Sequence, residues 1–366
     1  MTLKRPALLV MAGGTGGHIF PGIAVAKALA AKGWSIHWLG SRNSMEEQIV
    51  PRQNIALTTL QVSGIRGSGF KRKLLAPFTI VKAIFEARKC IKQIAPDLVI
   101  GMGGFASGPG GIAAWISGVP LIIHEQNAIA GYTNRILAKV STRIACAFPD
   151  VFAKKYAGKI TRTGNPVREE ICQLPPPSIR LENRSGLIRL LIVGGSRGAQ
   201  ILNEVIPETI AQCKNSFSIR HQCGRGNLKL VDNRYQQAKD KGHQLQVSEF
   251  IENMAEALNW ADLIICRSGA LTISEIMCVG LGSVLVPYPY AVDDHQSANG
   301  LFLKQKKAAL MIKQQDLNAG KLASWLDQLT HKLATEMAIH SYDEQAKLAT
   351  EKLASLCEST LEGRAA

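Results

Sequence analysis

The chain has 366 residues, 46% hydrophobic and 19% charged, with 33 glycines and a formal net charge of +15. That length exceeds one ordinary hydrophobic core, so two domains are expected, and the composition excludes a disordered chain. Aromatic residues are only 6% and no recognition-helix, zinc or RNA-platform signature accompanies the positive charge, which sets nucleic acid aside as a partner and leaves an anionic membrane surface.

The first element expected is a strand over residues 7–12, broken by Gly13-Gly14-Thr15-Gly16-Gly17-His18 and followed by a helical pattern from Pro21 to Ala31. Strand, glycine turn and helix N-terminus form an anion site, because backbone N–H groups and the helix dipole both face a negative ligand. The spacing fits neither a dinucleotide fingerprint nor a P-loop. From Gly14 the third glycine would fall on Ile19, no carboxylate ends the next strand at Trp38-Leu39-Gly40-Ser41, and no lysine follows the turn. Further strands are expected near 35–39, 97–101, 120–123 and 142–146, with helices over roughly 20–32, 44–51, 74–94, 108–117 and 130–138, an alternation typical of parallel α/β units.

Between Gln61 and Ile100 eight basic residues face two acids, interleaved with apolar ones. Lys71, Arg72 and Lys73 lead into Leu74 and Leu75, and the steps from Leu74 to Phe78, Val81 and Phe85 follow one helical face. Such a helix fits either a core element with a solvated basic rim or one that rests a face in lipid headgroups. Gly101-Met102-Gly103-Gly104-Phe105 is a second glycine turn after a strand, and His124-Glu125-Gln126-Asn127 gathers polar groups just past another. That carboxyl edge is where open α/β sheets hold their ligands.

Gln173-Leu174-Pro175-Pro176-Pro177 and the polar stretch after it suggest a linker over 166–186, separating a first domain at 1–165 from a second at 187–345. The second half repeats the opening design: a strand over 188–193 runs into Gly194-Gly195-Ser196-Arg197-Gly198. Strands follow near 217–221, 245–249, 262–266 and 283–287. The run Arg267-Ser268-Gly269-Ala270-Leu271-Thr272-Ile273-Ser274-Glu275 is a small-residue loop entering a helix whose carboxylate suits either a ribose diol or a helix start. Asp293-Asp294-His295-Gln296 opens another helix, and residues 322–361 are helical in pattern. No Asp-x-Asp and no His/Cys cluster occurs, so no metal is expected. Cysteines occur singly, no apolar run reaches membrane-spanning length and no secretory signal is evident, so a soluble protein with reduced thiols is expected.

These motifs, with Gly164-Asn165-Pro166-Val167-Arg168 and Asp294-His295-Gln296 among them, resemble in order the successive motifs of the MurG family of N-acetylglucosaminyltransferases. The resemblance implies an α/β fold of GT-B type, two Rossmann-like domains with parallel sheets, and a tail at 346–366 packing back on the first domain. It implies an inverting transfer of GlcNAc from UDP-GlcNAc to the 4-hydroxyl of lipid I, giving lipid II, without a cofactor. The alternatives are a related enzyme with another lipid acceptor and a UDP-GlcNAc epimerase.

By the same resemblance, Ser196 contacts phosphate, Ile251 the uracil edge, Ala270 to Glu275 the diphosphate and ribose, and Gln296 the sugar. Thr15, Gly16, Gly17, Asn127 and Arg168 complete the donor site, while Gly13, Gly14, Gly103 and Gly104 cradle the acceptor diphosphate. His18 is the first choice of base, because imidazole titrates near working pH, with Glu125 as competitor. The stretch from Lys71 to Lys89 matches a membrane-facing patch. This implies peripheral attachment at the cytoplasmic face of the bacterial inner membrane, among cell-wall synthesis and division proteins. Phe105, Arg197 and His295 depart from the family pattern.

Overall fold

The protein is described by a computed structural model over residues 5–62, 70–195 and 198–365. It divides into two compact units, Met1–Arg168 with Gln345–Ala366, and Glu169–Glu344.

The first unit holds seven parallel strands: β1 (Ala7–Ala12), β2 (Ser35–Ser41), β3 (Ala56–Leu60), β4 (Leu98–Gly103), β5 (Leu121–Glu125), β6 (Arg143–Cys146) and β7 (Ile160–Arg162), in the order β3-β2-β1-β4-β5-β6-β7. Leu8 and Val10 of β1 belong to one hydrophobic core, Leu9 and Met11 to another. Both faces of the sheet are therefore covered, which is why β1 is a continuous apolar run and not an alternating one. The Gly16–Ala31 helix and the C-terminal Ala349–Ala365 helix pack on one face, through Leu29, Leu353 and Cys357 among others. The Phe70–Ile94 and Ser107–Ile116 helices cover the other through Ala87, Ile91, Ala113 and Ala114.

The second unit repeats the plan with β8 (Ile188–Val193), β9 (Phe217–Gln222), β10 (Gln244–Ser248), β11 (Leu263–Cys266), β12 (Gly282–Leu285) and β13 (Ala309–Met311), ordered β10-β9-β8-β11-β12-β13. In each unit the strand order reverses beside the first strand, between β1 and β4 and between β8 and β11. Such a switch point opens a crevice at the carboxyl ends of the strands.

Three strands escaped the sequence pattern: β3, β7 and β13. All lie at sheet edges and two have only three residues; β3 and β7 lack the apolar run of a central strand, and β13 occupies only the middle of the short run from Ala308 to Ile312. The expected linker needs correction. Residues 169–186 belong to the second unit, where Ile171, Pro177, Arg180 and Leu181 are buried. Arg180 holds this segment down by donating to the carbonyls of Ala261 at 2.9 Å and Gly280 at 2.5 Å. The prolines stop regular structure there without freeing the chain.

Candidate functional site

At the first switch point the helix begins at Gly16, five residues before the expected Pro21, because Thr15 is extended at φ −140° and serves as its N-cap. Gly16, Gly17 and His18 thus form the first helical turn. The Gly13 N–H donates to the Gly103 carbonyl at 3.3 Å, tying this turn to the one that follows β4. Gly104, at φ +91°, packs so close to the Gly13 backbone that a Cβ would overlap its carbonyl, so only glycine fits. The Gly14 N–H donates to Glu46 Oε2 at 3.2 Å. Gly13 and Gly14 therefore spend their donors inside the protein, against the expectation that they hold a diphosphate. Among the described residues, the N–H groups of Thr15, Gly16 and Gly17 have no protein acceptor, as helix geometry requires of a first turn.

His18 is half-buried, its Nδ1 3.1 Å from the Gly13 carbonyl oxygen and 3.3 Å from Thr15 Oγ1. A carbonyl oxygen only accepts, so Nδ1 carries the proton and donates it, and Nε2 is the basic nitrogen of the neutral ring. Nε2 lies 3.0 Å from where a Cβ on Gly103 would stand, which explains the glycine there.

Glu125 is buried at the end of β5, and its two oxygens meet four donors. Oε1 accepts from the Asn127 N–H at 3.1 Å and Asn127 Nδ2 at 3.2 Å; Oε2 accepts from the Gly131 N–H at 3.0 Å and Asn134 Nδ2 at 2.8 Å. A carboxylate offers about four lone-pair directions, and here all are taken. Glu125 thereby organises the loop that carries Asn127.

Its neighbour His124 is fully buried and burial lowers its pKa to about 4, so the ring is neutral. Its Nε2 lies 2.9 Å from the Gly164 carbonyl, and Asn165 Nδ2 donates to the Gln126 carbonyl at 3.0 Å. These bonds pin the Gly164–Arg168 run to the β5 loop. Arg168, half-buried, ends this unit.

At the second switch point the Gly194 N–H donates to the Gln222 carbonyl at 3.4 Å, and Gln222 Nε2 donates to the Gly195 carbonyl at 3.2 Å. Ser196 and Arg197 lie outside the described residues. After β11, Gly269 caps the Ala270–Val279 helix. Ala270, Leu271 and Thr272 form its first turn, whose N–H groups helix geometry leaves without an intrahelical acceptor. Ile273 does not belong with them: its side chain is fully buried and its N–H donates to the Gly269 carbonyl at 2.9 Å. It anchors the helix.

Ser274 turns its hydroxyl back to the Ala270 carbonyl at 2.9 Å, and Glu275 is 9% exposed. Gln296 Oε1 accepts the Tyr288 N–H at 2.9 Å, which orients the amide so that its NH2 is the group left to donate. Ser268 Oγ donates to the Gln296 carbonyl at 2.7 Å and Asn299 Nδ2 to the Ser268 carbonyl at 3.2 Å. Together they lash the loop to the His295–Gln305 helix. Ile251 is half-buried in a cavity it shares with Arg220, Phe250 and Asn253. His295 Nδ1 donates to the Val292 carbonyl at 2.7 Å.

Sequence reasoning missed Glu46, Asn134 and Asn299. All three are polar and at most 5% exposed, and none adjoins a glycine turn in the chain, so only the fold of each unit brings them to the loops they hold. It also missed Trp115 and Ile116, exposed at the end of a helix packed against Phe70–Ile94.

Two family models match in succession. Residues 8–146 match the glycosyltransferase family 28 N-terminal domain and residues 189–355 the C-terminal domain. A UDP-N-acetylglucosamine–N-acetylmuramyl-(pentapeptide) pyrophosphoryl-undecaprenol N-acetylglucosamine transferase of Aeromonas hydrophila is 47% identical over 98% of each chain. Its counterpart in Aliivibrio fischeri is 48% identical over 94% of this chain and 95% of its own. The crystal structure of MurG from Acinetobacter baumannii superposes with a TM-score of 0.84 at 38% identity, covering 97% of this chain and all of that one. A UDP-N-acetylglucosamine 2-epimerase from Listeria monocytogenes shares only the fold, at 13% identity and a TM-score of 0.67 over 98% of this chain and 97% of that one. The chain has a GT-B fold and belongs to glycosyltransferase family 28 and, within it, to the MurG family of N-acetylglucosamine transferases.

Proposed function

We infer that this protein is the N-acetylglucosaminyltransferase that moves GlcNAc from UDP-GlcNAc to the 4-hydroxyl of undecaprenyl-linked N-acetylmuramyl pentapeptide, turning lipid I into lipid II for peptidoglycan. The observation that carries it is the 47% identity over 98% of both chains to a relative named for this transfer. The epimerase alternative has only a shared fold behind it.

In the mechanism we propose, His18 Nε2 takes the proton of the acceptor hydroxyl as its oxygen attacks the anomeric carbon. The new C–O bond forms as the bond to the diphosphate breaks, and UDP leaves with the electron pair, so the configuration inverts. The Ala270–Thr272 turn stabilises the departing diphosphate with N–H groups and the helix dipole, which act where negative charge grows. Glu275 holds the ribose diol, Ile251 the uracil edge, Ser196 a phosphate oxygen, and the Gln296 amide donates to the sugar hydroxyls. Thr15, Gly16 and Gly17 offer the first unit's donors, and Asn127 and Arg168 complete the donor site. Support for these roles comes from matching motif positions.

The protein works at the cytoplasmic face of the inner membrane. No helix among the described residues is long and apolar enough to cross a membrane. Phe78 is 76% exposed and Phe85 64%, with Val81 between them and Lys82 and Lys89 alongside, which favours an anionic lipid surface over a buried face. The side chains of Lys71, Arg72, Lys73, Leu74 and Leu75 lie outside those described. Cell-wall synthesis and division proteins are the proposed company there.

The test is UDP release from UDP-GlcNAc with and without a soluble lipid I analogue. Acceptor-dependent release with a disaccharide product is expected. Release or sugar conversion without acceptor overturns the reading.

A further inference from the structure

Glu46 is a fully buried carboxylate on the short Glu46–Ile49 helix after β2. No basic side chain pairs with it among the described ion pairs. Its oxygens face backbone donors: Oε1 accepts the Ser41 N–H at 2.8 Å and Oε2 the Gly14 N–H at 3.2 Å. Its carboxyl carbon sits 2.8 Å from where a Cβ on Gly13 would stand, and its Cγ 2.7 Å from one on Gly40. Two glycines therefore make room for this one side chain. Burying a carboxylate is costly unless its lone pairs are satisfied, so a group sunk this deep beside a ligand-binding turn calls for a reason.

The reason lies in which peptide it holds. The Gly14 N–H and the Gly13 carbonyl are the two ends of one planar trans unit and point in opposite directions. At one end the N–H donates to Glu46; at the other the carbonyl oxygen accepts from His18 Nδ1 at 3.1 Å. Gly14 takes φ +85°, a backbone conformation that lets the peptide face both ways without strain.

We propose that Glu46 is a positioning residue that acts through the Gly13–Gly14 peptide. It polarises the carbonyl, fixes His18 as the Nδ1–H tautomer and leaves Nε2 to serve as base. This rests on the reading of His18 as the base. The arrangement does what the carboxylate of a carboxylate–histidine pair does, with a peptide group between the two. No proton crosses the peptide: Nε2 takes the acceptor hydroxyl's proton, Nδ1 keeps its own, and Glu46 stays a carboxylate that steadies the imidazolium through the polarised carbonyl. Among the described residues the titratable group coupled to the ring is His124, neutral by burial with a pKa of about 4.

The experiment compares pH–rate profiles of the intact protein, Glu46→Gln and His18→Ala, with UDP-GlcNAc and a soluble lipid I analogue. Removing the negative charge makes His18 a weaker base. Glu46→Gln is therefore expected to lower plateau kcat roughly tenfold, move the acid limb of kcat/KM to lower pH by about half a unit or more, and leave the KM for UDP-GlcNAc unchanged. A fall in rate with an unmoved limb means that Glu46 serves only folding and overturns the proposal. If His18→Ala keeps both rate and limb, the base reading itself fails, an outcome distinct from the first. Should Glu46→Gln not fold, nitrogen chemical shifts of the His18 ring in the unaltered protein decide. Protonated Nδ1 in the neutral ring is expected, and protonated Nε2 overturns the relay.

Discussion

Glu125 and His18 stand at one strand edge, and their hydrogen bonds separate their roles. With its oxygens committed to four donors of the β5 loop and the helix after it, Glu125 is expected to matter for stability first. Glu125→Gln turns an amide NH2 towards donors that need an acceptor. Denaturant unfolding should show a loss of about 2–3 kcal/mol, with the acid limb of the rate profile kept. Loss of that limb at unchanged stability would restore Glu125 as base. His18→Ala makes the opposite test. Turnover should fall on the order of 10²–10⁴-fold while calorimetry finds UDP-GlcNAc affinity nearly unchanged, and wild-type turnover would eliminate the imidazole. For Glu275→Ala the expectation is weaker UDP binding, because a ribose diol loses its acceptor. An unaltered dissociation constant would remove that role.

Among the elements, the Phe70–Ile94 helix carries two faces that the sequence leaves undecided. Ala83, Ala87, Cys90 and Ile91 recur at helical spacing and are buried, whereas Phe78, Val81 and Phe85, on another face, are exposed. Phe78→Glu with Phe85→Glu touches no core contact, so stability should hold. Binding to vesicles with anionic lipid should drop at least about tenfold while turnover of a soluble acceptor stays the same, since each substitution replaces buried apolar area with a repelled charge. Equal vesicle binding would show that this face does not meet lipid.

The same helix shows what could be read in advance. Apolar spacing located it, but two apolar faces with basic flanks do not say which is covered until a sheet is built beneath one. Central strands and the three glycine turns that end them were legible because a strand buried on both faces is an unbroken apolar run ending in turn residues. The edge strands β3, β7 and β13 were not. Nor was Glu46 as the partner of Gly14, since a side chain that completes a site from another element leaves no local period. The prolines at 175–177 suggested a linker, but the burial of Arg180 binds the segment into the second unit.

For the whole molecule, acid sensitivity follows from histidines buried without charge in both units. His124 in the first has its pKa lowered to about 4 by burial. His221 in the second is lowered to about 3, held between Tyr235 Oη at 2.9 Å from Nδ1 and Asn203 Oδ1 at 3.1 Å from Nε2. His37 and His243 shift the same way, also through burial. In the unfolded chain each ring titrates near 6.5. Between that value and the folded pKa the unfolded state binds a proton that the native state refuses, so stability is full above about pH 6.5 and is lost as pH falls towards 4. The interval from 6.5 to 5 lies above the ordinary carboxylate range, which isolates the histidines. Unfolding free energies measured across it should fall by about 2 kcal/mol for each unit. A flat profile would mean that these rings accept protons in the native state, with His124 no longer a neutral donor to the Gly164 carbonyl. Because that bond helps to pin the Gly164–Arg168 run beside the β5 loop, activity lost on acidification should then track His18 alone and not the opening of the first unit.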